Sequence, residues 1–328
     1  MSDNLNKLDP SGGAIRRPSL TGSKRALLAR DRPHVSFEFF PPKTAAGWSK
    51  LQETGRQLTT YSPDFASVTF GAGGSANQHT LEACVVVRDA MGVDVVPHLS
   101  CLGKTPEQIR SHLDQYREAK FQKLLALRGD VPLGIEKTED VVIPEGGFRH
   151  ANELVSYIKG RGDFHIFVAC YPEGHPEASN LKADVDNFLR KVESGADAAI
   201  TQYFFNNAAY FHFVEEVRRR GVEVPIIVGL MPIYPFDQVL SFSQKCGADV
   251  PMWIRKRMEV YQDDPVSQLA LAVEIAVKQA DELLRAGAPG IHFYTLNRTE
   301  ATTQICDELS PRPADLGISW DDVAYRDA

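Results

Sequence analysis

The sequence lacks the cysteine pairs that mark a disulfide scaffold or a zinc ribbon. It has five cysteines in 328 residues, an odd number, and no two form a Cys-x-x-Cys motif. This usage is typical of reduced thiols and predicts a cytoplasmic protein. No apolar run approaches the roughly 18 residues of a membrane span, so no membrane association is expected. A chain of this length can bury a large core without a metal or a disulfide.

An excess of basic residues is also missing. The chain carries 36 Lys and Arg against 43 Asp and Glu, a net charge of −7. Because nucleic-acid binding depends on neutralising phosphates, this balance argues against a nucleic-acid partner. The exception is the N-terminus, where residues 1–33 are rich in Ser, Gly, Pro, Asn and basic residues. That composition predicts a flexible, disordered basic arm.

From residue 34 onwards, short apolar runs alternate with longer segments of helical spacing. Each run is apolar on nearly both faces, which favours parallel strands buried between a core and covering helices. The predicted strands are 35–40, 65–70, 93–99, 123–127, 165–171, 198–204, 224–230 and 290–296. Eight strand–helix units predict an α/β protein, a single-domain (β/α)₈ TIM barrel over 34–310, followed by a C-terminal tail at 311–328. A helix near 251–262 is expected as an addition, and an open doubly wound sheet is the alternative fold.

Polar residues follow nearly every predicted strand, at the end where barrel enzymes place their active sites. They are Glu38, Thr69, His98, Arg128, Gly129, Asp130, Tyr171, His175, Gln202, Tyr294 and Arg298. A barrel with only a structural role has no reason to gather these groups at one end. The sequence therefore predicts an enzyme.

Several of these features have more than one interpretation. Glu38 lies among aromatic residues and prolines, where desolvation would raise its pKa and suit a general acid, although an outward-facing glutamate fits the same alternation. Residues 71–76 match the G-x-G-x-x-A dinucleotide fingerprint, but the acid expected about 20 residues later is missing. His98, Cys101, Cys170 and His175 have no metal-ligand spacing, and no metal is expected.

The segment 184–191 has the spacing of one helix face. Asp184, Asn187 and Lys191 would share that face, and Arg190 lies beside it. A solvated surface is one interpretation, and a site for the ribose and phosphates of a ligand is the other.

Seven segments resemble the 5,10-methylenetetrahydrofolate reductase family, in the same order. They are VSFEFFPPKT (35–44), SVTFGAGG (67–74), PHLSC (97–101), LALRGD (125–130), CYPEGHPEA (170–178), ITQYFF (200–205) and HFYTLNR (292–298). The resemblance covers roughly 34–308 and is closest to the short bacterial forms. It implies a (β/α)₈ barrel with non-covalent FAD. NADH or NADPH would reduce the flavin and leave, and the folate would then take a hydride at the same face, a ping-pong mechanism that feeds methionine synthesis.

The resemblance also implies roles for individual residues. Glu38 matches the acid that promotes opening of the methylene bridge, and Asp130 matches a catalytic aspartate near the flavin and the pterin. Substrate contacts would come from Gln202, Gln238, Phe242, Tyr294 and Arg298. FAD contacts would come from Thr69, Phe70, Ala72, His98, Arg128, Gly129, Asp130, Ala151, Tyr171, His175, Ala178, Asp184, Asn187, Arg190 and Lys191.

Some positions depart from the family pattern. Residues 75–78 read Ser-Ala-Asn-Gln where the family often has Ser-Thr-Arg with acidic residues, Phe70 replaces a Tyr of some members, and the loop 131–149 is longer. Two alternatives stay open: a Rossmann-type dehydrogenase without flavin, and a non-enzymatic member that binds folate or flavin. A homo-oligomer is possible, and the expected partners are small molecules.

Overall fold

The computed structural model describes residues 33–70, 76–131, 134–135, 137–162 and 164–309, with side chains from 79 onwards in the second segment. The predicted arm, except for residue 33, and the predicted C-terminal tail lie outside these ranges. Eight parallel strands close into a barrel in the order β1 to β8. Their bounds are His34–Phe39, Phe65–Val68, Asp94–Ser100, Lys123–Leu127, His165–Cys170, Ala198–Thr201, Ile226–Leu230 and Gly290–Tyr294. The prediction of a TIM barrel is confirmed, and the doubly wound alternative is wrong.

The barrel closes through the pairing of the first and last strands. His34 lies opposite Gly290, and Glu38 lies opposite Tyr294. Gly290 is needed there because a Cβ would lie 2.3 Å from the His34 carbonyl oxygen. This register sets Glu38 and Tyr294 side by side at the carboxyl end of the barrel, where active sites of this fold occur.

Ten α-helices lie within the described residues. They are α1 (Ala45–Leu58), α2 (Ala76–Met91), α3 (Pro106–Glu118), α4 (Ala151–Lys159), α5 (Leu181–Glu193), α6 (Asn207–Arg219), α7 (Phe236–Cys246), α8 (Met252–Glu259), α9 (Pro265–Arg285) and α10 (Glu300–Leu309). The predicted N-caps are present: Thr44 accepts from the Gly47 N–H, and Thr105 forms a capping box with Gln108. None of these helices is long and apolar enough to span a bilayer.

The helical ring differs from the prediction in one respect. Only the segment near 251–262 was expected to be an addition, but α9 takes the ring position, packed against α6 and α10. Both α7 and α8 are therefore inserted between β7 and α9. They share a hydrophobic cluster with α9 that includes Tyr203, Met231, Val239 and Ile254. This insertion brings α7 beside Tyr203, which follows β6 at the carboxyl end of the barrel.

Hydrophobic packing fills the barrel and surrounds it. The interior layer contains Phe65, Val96, Leu125, Phe167 and Ile227. A larger cluster lies between the strands and the helices. Burial of these side chains supplies the main stabilisation. The strand ends are thereby fixed, so side chains at the barrel mouth have a rigid base.

Candidate active site

Glu38 lies at the mouth of the barrel with its side chain only 17% exposed. Its Oε2 is 3.5 Å from Nε2 of His98 and 3.8 Å from Nε2 of His292. The three residues come from β1, β3 and β8. The structure therefore brings Glu38 and His98 together at the mouth, and it adds His292.

His98 is a buried imidazole with an unused hydrogen-bonding atom. Among the described residues, its Nε2 has no hydrogen-bond partner. Burial lowers the pKa of His98 to about 4; Glu38 opposes this shift, and His292 adds to it. The ring is therefore neutral at physiological pH. Its Nε2 faces Glu38 at the barrel mouth.

A small polar network supports Glu38 from inside the barrel. His292 is fully buried. Its Nδ1 is 2.8 Å from Oγ of Ser36, and its Nε2 is 3.1 Å from Oγ of Ser67. Its ring also stacks on Phe65, with the centroids 5.6 Å apart. His292 and both serines were not predicted as parts of the site.

Tyr294 forms the second wall of the site. Its hydroxyl donates to the Thr201 carbonyl oxygen at 2.8 Å. Burial, with Glu38 as the next cause, holds its pKa well above the usual range, so the phenol stays protonated. Gly229 gives the ring its space, because a Cβ there would lie 2.1 Å from the Thr201 carbonyl oxygen and 2.6 Å from Cε2 of Tyr294.

An aromatic shelf, formed by Phe242, Tyr203 and Tyr294, extends from the mouth to α7. Phe242 is 45% exposed and stacks on Tyr203 with centroids 6.3 Å apart. Tyr203 meets Tyr294 edge-on at 5.8 Å. Gln202 lies partly buried next to the shelf and accepts the Tyr203 N–H through its Oε1, and no described residue accepts from its amide NH₂ group. Gln238 is exposed on α7, one turn before Phe242.

The ends of β2, β3 and β4 form a second region. Phe70 packs edge-on against His112 at 5.5 Å, and Nζ of Lys104 lies 4.7 Å from the centre of its ring. The same ammonium donates to Oγ of Ser100 at 3.0 Å. Burial lowers the pKa of Lys104. Lys104 was not predicted as a site residue, although it lies three residues after the PHLSC segment.

Gly129 has a backbone conformation that favours glycine. Its φ is +93°, and a Cβ would meet the side chain of Ser100 at 2.7 Å. The glycine therefore lets the β4 end pass closely beside the β3 end. Asp130 follows it as an exposed side chain, and Thr69 lies partly buried after β2.

Arg128 is bound by a carboxylate that was not predicted as a site residue. Its two terminal nitrogens donate to Glu177 at 2.6 and 2.8 Å, and the Thr138 hydroxyl donates to the same carboxylate. The Arg128 hydrogen bonds lower the pKa of Glu177 to about 2. The pair connects the β4 end to the loop after β5. Glu177 lies within the CYPEGHPEA segment, which was the signal that could have identified it.

Helix α5 presents two kinds of side chain. Asp184 is buried, and its pKa is raised by burial, although Lys191 and the His175 main-chain N–H oppose that shift. Lys191 donates to the Ala169 carbonyl oxygen at 2.6 Å and lies over the rings of Tyr171 and Phe188.

The other two predicted site residues of α5 face outwards. Arg190 and Asn187 are exposed and hydrogen-bonded to each other. The predicted common face of α5 is therefore only partly solvated. Asp184 and Lys191 point towards the β5 end, where the rings of Tyr171 and His175 meet at 4.7 Å.

The remaining predicted residues are placed as follows. Ala151 is the first residue of α4, and Ala178 donates its N–H to the His175 carbonyl oxygen. Arg298 is partly exposed in the loop after β8. Ala72 lies outside the described residues.

Two of the cysteines that the sequence offered as metal ligands have main-chain neighbours. The thiols of Cys101 and Cys170 face main-chain carbonyl oxygens, and burial raises the pKa of each to about 12. Within the part of the chain that the structure describes, no three His, Cys, Asp or Glu side chains gather as a metal site requires. All five cysteines are free thiols.

The fold and the mouth together define a class: a (β/α)₈ barrel with an acid, a neutral imidazole, an aromatic shelf and several cations at its carboxyl end. Comparison with known families identifies the class more closely. The family model "Methylenetetrahydrofolate reductase" matches residues 24–310. The chain therefore belongs to the methylenetetrahydrofolate reductase family, as its motifs predicted. The match begins ten residues before the predicted barrel, inside the predicted arm.

Individual relatives agree with this assignment. The chain is 36% identical over 280 residues to 5,10-methylenetetrahydrofolate reductase of Escherichia coli K12, covering 85% of this chain and 92% of the relative. It is 36% identical over 302 residues to the enzyme of the same name from Pectobacterium carotovorum, covering 92% and 97%. Methylenetetrahydrofolate reductase (NADH) 1 of Arabidopsis thaliana is 36% identical, but the match covers 83% of this chain and only 48% of that protein.

A solved structure shares the fold at a greater distance. An uncharacterised protein from Clostridium thermocellum, described as binding two copies of 5-methyl-5,6,7,8-tetrahydrofolic acid, superposes with a TM-score of 0.57. It is 15% identical and covers 87% of this chain and 96% of its own. At that identity the likeness concerns the fold alone.

Proposed function

We propose that the protein reduces 5,10-methylenetetrahydrofolate to 5-methyltetrahydrofolate with NADH or NADPH, through bound FAD and a ping-pong mechanism. The observation that carries this proposal is the placement of Glu38. A shielded carboxyl group lies at the mouth of the barrel, between a neutral histidine and an aromatic shelf, in a member of this family. The product would serve methionine synthesis as a methyl donor.

The residues present fit FAD. His98 offers a buried Nε2 that no described residue satisfies, and Gly129 leaves the backbone at the β4 end without a Cβ. Lys191 and Arg190 supply positive charge for the phosphates, and Asp184 supplies an acceptor for a ribose hydroxyl. When bound, FAD would supply hydride transfer between the nucleotide and the folate.

The aromatic shelf suits both organic substrates in turn. Phe242 has nearly half of its surface exposed, so a flat ring can pack on it beside Tyr203. The nicotinamide and the pterin are both flat and carry amide-like edges. The free NH₂ group of Gln202 can donate to either one. A single shelf that accepts one ring at a time explains why the first product must leave before the folate binds.

Glu38 has a role only in the folate half of the reaction. Its proton passes to the bridge nitrogen that leaves as one C–N bond of the methylene group breaks, which gives a 5-iminium cation ready to accept hydride. The protonated Tyr294 beside it and the neutral His98 add no competing charge. Arg298 and Gln238, both at the rim, would bind the glutamate tail of the folate.

The variant Glu38→Gln tests this assignment. It keeps the shape of the side chain but has no carboxyl proton to donate, and general acid catalysis is typically worth roughly 10²–10⁴-fold. We expect the purified variant to retain FAD and to oxidise the nucleotide with an artificial electron acceptor at nearly the wild-type rate. Its folate half-reaction, followed anaerobically, should slow by about 10²-fold or more.

A glutamate on the exposed surface of α1 provides the control. Glu53→Gln makes the same chemical change far from the mouth and should leave both half-reactions unchanged. Equal losses of both half-reactions in Glu38→Gln would mean that Glu38 shapes the pocket rather than donating a proton. A wild-type protein that binds no FAD would refute the flavin mechanism itself.

A further inference from the structure

The main-chain pairing of β1 with β8 ends at the catalytic acid. Glu38 opposite Tyr294 is the last pair of the register. Beyond it, two side chains of the loop after β8 take the place of strand hydrogen bonds. Thr295 donates its hydroxyl to the Glu38 carbonyl oxygen at 2.6 Å. Asn297 accepts the Phe40 N–H at 3.0 Å and donates its amide to the Phe40 carbonyl oxygen at 2.8 Å.

These side chains are themselves fixed. Thr295 is 4% exposed and Asn297 is 6% exposed. The Asn297 N–H donates to the Thr295 hydroxyl, and Thr54 of α1 donates to the Asn297 carbonyl oxygen. The loop therefore presents its two polar side chains to β1 as one interlocked unit.

The backbone of this loop is strained in a way that favours asparagine. Leu296 has φ +51° and Asn297 has φ +53°, both in the left-handed region. That region is unfavourable for an ordinary residue, and asparagine tolerates it better than most. Such strain persists only where surrounding contacts over-determine the conformation. Here those contacts are the hydrogen bonds to Glu38 and Phe40.

The segment at the end of β1, residues 38–40, is also hydrogen-bonded on its other side, towards β2. The Phe39 carbonyl oxygen accepts the Thr69 N–H at 2.9 Å from the β2 end. The carbonyl groups of residues 38, 39 and 40 are thus all bonded, and the next two residues are prolines without an N–H. The direction of the Glu38 carboxyl group follows from this fixed backbone.

We propose that Thr295 and Asn297 are positioning residues that aim Glu38 at the folate. Because the Arg298 N–H donates to the Thr295 carbonyl oxygen at 2.9 Å, the same unit also sets the rim arginine that would bind the folate tail. The inference rests on the function proposed above. It predicts that loss of these bonds impairs folate reduction and folate binding together and spares flavin reduction by the nucleotide.

Thr295→Val and Asn297→Gly test the proposal. Valine keeps the shape of Thr295 and removes its hydroxyl. Glycine keeps the left-handed backbone of residue 297 and removes both side-chain hydrogen bonds to Phe40. A misplacement of about 1 Å can cost on the order of 10²-fold in rate. We therefore expect the folate half-reaction to fall by about tenfold to 10²-fold. The Kd for 5-methyltetrahydrofolate should rise, while the nucleotide half-reaction stays within about twofold of the wild-type rate.

Two further variants separate positioning from general stability. Thr295→Ser restores the hydroxyl and should recover most of the folate half-reaction. Thr59→Val removes the same kind of bond, from a hydroxyl to the Gly55 carbonyl oxygen at 2.9 Å, at the C-terminus of α1, and should change neither half-reaction. If Thr295→Val does not fold, Asn297→Asp, which keeps the acceptor for the Phe40 N–H and loses the donor, provides the same comparison.

Three results would overturn the proposal. The first is a flavin-loaded Thr295→Val or Asn297→Asp protein whose folate half-reaction and folate Kd match the wild type. The second is a parallel loss of both half-reactions. The third is a failure of Thr295→Ser to recover activity. A wild-type protein that never reduces the folate would instead refute the proposed function, so the two failures are distinguishable.

Discussion

Lowering the pH should destabilise the folded protein through the buried His98. Its pKa is about 4 in the folded protein, against an ordinary value of 6.5. The unfolded chain therefore binds this proton first as the pH falls, and the folded state is penalised. The stability that depends on neutral His98 is complete above about pH 6.5, declines between about 6.5 and 4, and is fully lost below about 4.

The size of the effect follows from the two pKa values. Between about pH 7.5 and pH 5, the difference in proton binding lowers the free energy of unfolding by about 2 kcal/mol. His98 is buried, and the groups that face it are Glu38 and His292. Solvent screening is therefore small. The neighbouring carboxylate opposes the shift without cancelling it.

The measurement compares wild type with His98→Gln, which cannot take up the proton. Urea unfolding of both proteins at about pH 7.5 and pH 5 gives four free energies. The wild type should lose about 2 kcal/mol more than the variant over this interval, with unchanged urea dependence. Equal losses in the two proteins would show that His98 titrates normally, and the neutral imidazole would have to be withdrawn from the description of the site.

Two other variants, one single and one double, test parts of the site that geometry defines. Gly229→Ala places a methyl group against backbone and against the ring of Tyr294, so the free energy of unfolding should fall by about 3 kcal/mol or more; a chemical denaturation curve like that of the wild type would mean that the strand can move. The double variant Arg190→Ala, Lys191→Ala should release FAD from a folded barrel. The control Lys182→Ala, on the exposed side of α5, should retain FAD. Full flavin content in the double variant would refute the assignment of Arg190 and Lys191 to the FAD phosphates.

Much of the fold was predictable because its signals are local. The eight apolar runs match the strands to within a few residues, and the Thr105-Pro106 pair marks the start of α3 through capping chemistry that needs only neighbouring residues. The ring position of α9 could not be predicted in this way. Helices α7 and α9 are both amphipathic, and only tertiary contacts decide which one packs against α6 and α10.

The site was predictable where a side chain stands at a strand end, as Glu38 and Tyr294 do. The residues that lie further inside the barrel, below these side chains, were not predicted. Ser36 and His292 precede those residues by two positions and share their faces, because side chains alternate along a strand. A serine or histidine inside an apolar strand has no individual signal. Its role emerges only when closure of the barrel brings β1, β2 and β8 together.

The direction of long side chains was the other limit. Helical spacing placed Asp184 and Lys191 on one face of α5, but it did not show that the Lys191 ammonium turns towards β5 and bonds the Ala169 carbonyl oxygen. Lysine rotamers place the charge over a wide arc, and packing on Tyr171 and Phe188 selects one direction.

The most direct test of the account is an anaerobic sequential mixing experiment on the purified wild-type protein. NADH or NADPH alone should bleach the yellow flavin absorption without any folate present. Addition of 5,10-methylenetetrahydrofolate after removal of the nucleotide should restore the yellow colour and yield one 5-methyltetrahydrofolate per flavin. Bleaching that requires the folate, or a reduced flavin that the folate does not reoxidise, would contradict two half-reactions at one shared mouth.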